Sequence, residues 1–123
     1  MGWWSGADVD VKREMELVTE DDCAREKRER TALTAVLADR FGVPHDAGAV
    51  FDASLDALAK SDARLLLVNL EDLWLEAAPQ NVPGTHRERP NWRRKARLTL
   101  EALRREPRVV QALERVDAHR KRK

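Results

Sequence analysis

Apolar positions recur along most of the chain with a helical rhythm. Val9, Val11, Met15 and Leu17 give a weak apolar side to a short helix expected near 8–17, with Ser5 and Asp8 as available caps. Thr19 followed by Asp22 has the form of a helix cap, with acids in the first turn where the peptide dipoles favour negative charge. The helix it opens is expected over 20–41, carried by Ala32, Leu33, Val36, Leu37 and Phe41. Its first half, Asp21 to Arg30, is almost all charge and reads as a solvated face. Gly42 ends it, with Pro44 beyond. A further helix fits 49–60, with Val50, Phe51, Leu55, Leu58 and Ala59 on one side. Helices resume at 99–105 and 108–119, with Pro107 at a natural first-turn position.

The rhythm breaks between residues 64 and 97. Leu65-Leu66-Leu67-Val68-Asn69-Leu70 is a short continuous apolar run, which predicts a strand over 64–70 buried on both faces. Its N–H and C=O groups then need neighbouring strands, and no other stretch reads as a strong one. The expected fold class is mostly α with one buried strand, incomplete as an autonomous domain. Glu71 to Leu75 reads as a short helical turn whose acids, Glu71 and Asp72, would stand at the carboxyl end of that strand. Residues 76–97 form a loop, because Pro79, Pro83, Gly84 and Pro90 exclude regular structure. A loop this long is usually functional or disordered, and Trp92 argues against disorder.

Composition narrows the class. The 123 residues make at most one domain. Charged residues reach 37%, against about 25% in an average globular chain, so the core is modest. The net charge of +1 hides a polarity: residues 1–83 hold 9 Lys/Arg and 17 Asp/Glu, whereas residues 84–123 hold 14 and 5. Mutual neutralisation within a larger fold is the simpler reading, a basic tail for an acidic partner the sharper one. Arg120 to Lys123 read as a frayed, solvated end. No apolar run approaches the ~20 residues of a membrane span, and no basic-then-apolar leader opens the chain. The lone Cys23 excludes an internal disulfide and suits a reducing cytoplasm.

Familiar catalytic signatures are missing. There is no glycine-rich phosphate loop, no paired-cysteine metal spacing and no nucleophile elbow. His45, His86 and His119 lack metal-ligand spacing and read as surface or loop histidines. Cys23, among charges on a helix, reads as an ordinary thiol.

The informative stretches are Val68-Asn69-Leu70-Glu71-Asp72-Leu73-Trp74, then Gln80-Asn81-Val82-Pro83-Gly84-Thr85, then Arg89-Pro90-Asn91-Trp92-Arg93-Arg94. In this order they resemble the C-terminal part of the 4-alpha-glucanotransferases, the amylomaltases or disproportionating enzymes. Gly2-Trp3-Trp4-Ser5-Gly6 resembles the segment just after that family's His-Asp motif. The likeness runs from Gly2 to about Leu103.

What the resemblance implies is the C-terminal end of a (β/α)8 barrel, with residues 64–70 as its last strand and 76–97 as an active-site rim loop. The implied reaction is retaining glucosyl transfer, in which one carboxylate attacks the anomeric carbon and another, about 5–5.5 Å away, protonates the leaving oxygen. An acceptor glucan then takes the covalent glucosyl unit. No metal, nucleotide or other cofactor is implied. The nucleophile, the acid/base and the stabilising carboxylate would lie before the matched segment. The chain is therefore expected to carry no catalytic residue and to be inactive alone, as a truncated reading frame, an internal start or a dissected gene.

For glucan binding the resemblance implies Asn81 as a hydroxyl partner, Gly84 for close backbone approach, Thr85 as a brace of the turn, and Asn91 and Trp92 as anchors or subsite walls, anchoring being favoured for Trp92. Arg93 and Arg94 are expected to pair with carboxylates elsewhere in the barrel, and Trp3, Trp4 and Trp74 to pack. The implied partners are an α-1,4-glucan or maltooligosaccharide and the missing N-terminal portion, with no membrane. Two other classes stay open from the residues alone. One is a small helical interaction protein; the other is a nucleic-acid-binding module using the basic half, with Trp92 as a stacking residue.

Overall fold

The computed structural model describes residues 1–87, 89 and 91–121. Glu88 and Pro90 of the expected loop, and Arg122 and Lys123 of the expected frayed end, lie outside them. Among the described residues six α-helices follow in order: α1 (Gly2–Ser5), α2 (Ala7–Glu14), α3 (Glu20–Phe41), α4 (Ala47–Lys60), α5 (Leu100–Leu103) and α6 (Pro107–Arg120), with a 3-10 helix (Leu70–Trp74) between α4 and α5.

Local chemistry sets the boundaries. The Thr19 hydroxyl accepts from the Asp22 N–H at 3.1 Å and opens α3. Gly42, at φ +67°, closes it in the left-handed conformation that only glycine adopts freely. Asp46 caps α4 by accepting from the N–H groups of Gly48 and Ala49, so that the helix starts at Ala47, two residues before the expected start. Neither Ser5 nor Asp8 caps α2; Gly6 does, at φ +78°. Thr99 caps α5, and Pro107 occupies the first turn of α6.

The core lies between α4, α6 and the 3-10 helix. Leu55, Leu73, Trp74, Val109 and Ala112 are buried there, flanked by Phe51, Leu66, Val68, Leu98, Leu103 and Val116. Val109, Ala112 and Val116 share one stripe of α6 at i, i+3 and i+7 spacing. Trp74 packs, as the sequence suggests. On α3 the buried stripe is not the expected one: Cys23, Arg30 and Ala38 face inward, whereas Ala32, Leu33 and Val36 are exposed. The α2–α3 and α3–α4 contacts select that stripe by what the neighbours present, not by apolarity alone.

Opposite charges meet across α4 and α6. Arg115 Nε donates to Asp56 Oδ1 at 3.1 Å, while Arg108 and Arg115 both pair with Asp52. At the end of α6, Arg120 donates to the carbonyls of Ala63 and Arg64 at 2.6 and 3.0 Å. Part of the basic half is thus neutralised within the chain.

The expected strand does not form. Among the described residues the architecture is all helical, which replaces the reading of mostly α with one buried strand. The segment is extended and alternates: Leu66 and Val68 pack on the core, while Leu65 and Leu67 are 73% and 83% exposed. No described hydrogen bond engages the backbone of Leu65 to Val68. Without a neighbouring strand to accept its N–H groups, an apolar run of this kind leaves its backbone to water.

Candidate functional site

The 3-10 helix places Glu71 and Asp72 in its first turn. The loop that follows folds back on them through side-chain hydrogen bonds. Arg94 donates to Glu71 Oε1 at 2.8 Å and to the Ala78 carbonyl at 2.9 Å, and pairs with Glu76 at 3.3 Å. Gln80 Nε2 donates to the same Glu71 oxygen and to the Arg94 carbonyl. Arg89 donates to the Pro79 carbonyl, and the Trp92 N–H to the Gln80 carbonyl at 2.8 Å. The Ala78 N–H donates to Glu76 and is the main reason that its carboxyl sits below the usual glutamate range; Arg94 and smaller effects of Trp74 and Arg97 act in the same direction against partial burial. Arg94 therefore finds its carboxylates inside this chain. No described ion pair uses Arg93.

A second brace holds the loop tip. Asn91 Oδ1 accepts from the Val82 N–H at 3.0 Å, and Asn91 Nδ2 donates to Thr85 Oγ1 at 2.8 Å. Thr85 Oγ1 donates to the Val82 carbonyl at 2.8 Å, and Val82 is fully buried. Gly84 turns the chain at φ +92°, where a side chain would be strained.

Between this loop, the 3-10 helix and the N-terminal segment lies an open cleft of about 430 Å³. The N-terminal wall is Met1, Gly2, Trp3 and Asp8; the floor is Asn69, Glu71 and Asp72; the loop wall runs through Glu76, Ala78 to Asn81, and Trp92. The Met1 amino group pairs with Asp72, which also accepts from Asn69. Gly2 lets the two walls meet, because a Cβ there would collide with the Ala77 carbonyl.

The residues singled out from the sequence thus separate into two groups. Asn81 and Trp92 line the cleft, and no described hydrogen bond uses the Asn81 amide. Trp92 is 74% exposed at φ +61°, so its ring does not anchor the loop; its backbone does. Gly84, Thr85 and Asn91 do not line the cleft and instead brace its wall. Reading the sequence missed Asp8 and Gln80 as lining residues. Asp8 was read as a helix cap, and Gln80 stood inside a quoted motif without a role. Trp3, expected to pack, lines the cleft at 44% exposure.

Amides, carboxylates and indoles around one open cleft are groups suited to a polyhydroxylated ligand, the amides as donors and acceptors and the indoles as flat apolar surfaces. Among the described residues no helix is long and apolar enough to cross a membrane. A sequence profile described as 4-alpha-glucanotransferase matches residues 1–100. The chain belongs to that family. No curated protein and no solved structure matches it.

Proposed function

We propose that this chain contributes the glucan-binding rim of a 4-alpha-glucanotransferase acting by a retaining mechanism on α-1,4-glucans, and that it supplies none of the reacting carboxylates. The observation that carries this reading is the meeting of Asn81, with an amide free of described hydrogen bonds, and the exposed Trp92 on one cleft. Asn81 would exchange hydrogen bonds with a sugar hydroxyl, and the indole would lie against the C–H face of a glucose ring. Gly84, Thr85 and Asn91 serve the same binding indirectly, by fixing the loop that presents both.

Retaining transfer needs one carboxyl held protonated near neutral pH beside an ionised one. The acids of this cleft are committed otherwise. Glu71 pairs with Arg94, Asp8 with Arg30, Asp72 with Met1 and Asn69, and Glu76 is shifted toward the charged form. On this reading the chain alone is inactive and contributes binding. The free, buried Cys23 is compatible with a cytoplasmic setting.

Two measurements test this. Titration of maltoheptaose into the chain by calorimetry gives binding that Asn81→Ala weakens about tenfold, the worth of one good hydrogen bond, with an unchanged urea midpoint. Equal affinity in the variant removes Asn81 from the site. Incubation with maltotriose leaves the sugar unchanged; release of glucose with longer glucans would show that the reacting carboxylates are here after all.

A further inference from the structure

We infer that Arg30 is a positioning residue of the cleft, holding Trp3 as a fixed aromatic wall on its N-terminal side; this rests on the glucan reading above. Arg30 lies on the buried stripe of α3 and is 5% exposed. A buried guanidinium is costly unless its donors are satisfied, and an apolar residue would often serve stability as well. Here the donors are aimed. Nη1 reaches the Trp3 carbonyl at 2.8 Å and Asp8 Oδ1 at 2.5 Å; Nη2 reaches Asp8 Oδ2 at 3.2 Å and Glu26 Oε2 at 2.8 Å. Two of these three partners, Trp3 and Asp8, line the cleft.

The same guanidinium lies over the Trp3 indole, 4.8 Å from the ring centroid. Trp4 meets that ring edge-on, with centroids 4.9 Å apart at 86°. Arg30 thus restrains Trp3 at both its backbone and its ring. A half-exposed indole so restrained loses little freedom when a sugar stacks on it, which is how preorganisation raises affinity. Arg30 touches no ligand itself; it acts through Trp3.

The test follows the indole N–H signals of the 15N-labelled chain, with Trp3 and Trp92 assigned through Trp3→Phe and Trp92→Phe, during titration with maltoheptaose. In the wild type both signals shift. Arg30→Met moves the Trp3 signal before any sugar is added, abolishes its response and weakens binding about fivefold, the scale of one lost cation–π contact. The Trp92 response and the helical circular dichroism stay, and Arg30→Lys recovers part of the affinity. An Arg30→Met chain with the wild-type Trp3 signal and affinity overturns the assignment while leaving the glucan reading intact. A wild type in which neither indole responds overturns both, and is thereby told apart. Should Arg30→Met lose its helical signal, Asp8→Asn is read instead: it removes one arm of the clamp and should blunt the Trp3 response, and an unaltered response counts against the inference.

Discussion

The segment 64–69 and the loop 76–97 invert each other. The first is the most apolar run in the chain, yet Leu65 and Leu67 stand in solvent and the backbone of Leu65 to Val68 engages no described partner. The second is polar and interrupted by prolines, yet Asn91, Thr85, Arg94 and Gln80 tie it to itself and to the 3-10 helix. In these two segments the described hydrogen bonds follow the polar side chains and not the hydrophobicity of the run. An apolar run without strand neighbours buries one face and no more; the polar side chains of the described loop residues satisfy backbone groups that no ladder reaches.

The loop should be most sensitive at Asn91. Asn91→Ala strips the Val82 N–H of its acceptor and Thr85 of a donor, at a cost of about 1–3 kcal/mol in urea unfolding. A loss below about 0.5 kcal/mol would mean that the loop is not latched there. A smaller effect is expected at Glu76. Its carboxyl is held below the ordinary value of 4.5, first by the Ala78 N–H and then by Arg94, so folding favours the charged form. That contribution is whole above about pH 4.5 and is lost as pH falls through the lowered folded value. The stability difference between wild type and Glu76→Gln should shrink on acidification, and a difference that stays constant from pH 7 to pH 3 would contradict it. The smallest effect belongs to Leu67→Lys, within about 0.5 kcal/mol of wild type. The amides of Leu65 to Val68 should exchange without protection in the same sample, and protected amides would place a strand partner where none is described.

Helices were legible because their signals are local. The spacing over 20–41 and the Thr19 cap correspond to Glu20–Phe41, and 108–119 differs from Pro107–Arg120 by one residue at each end. The strand expected over 64–70 was a misreading, because pairing is a property of two segments and this run carries information about one. The site was legible in part. Asn81 and Trp92 stood in motifs that resemble a family and meet on the cleft, whereas Gly84, Thr85 and Asn91 in the same motifs turned out to brace it. Sequence order cannot separate a residue that lines a cleft from one that braces its wall, since both sit on one loop. Arg30 was invisible for a stronger reason: a charged residue within a charged stretch reads as solvated, and only the fold of α1 and α2 over α3 encloses it.

The Arg120 contact has a mechanical consequence. By gripping Ala63 and Arg64 from 57 and 56 positions away, the final turn of α6 closes the polypeptide into a ring that contains the 3-10 helix. Because α6 is also held on α4 by the core and by Asp52 and Asp56, the clasp adds a second closure to a circuit that is already fastened, and shortens the free chain between them.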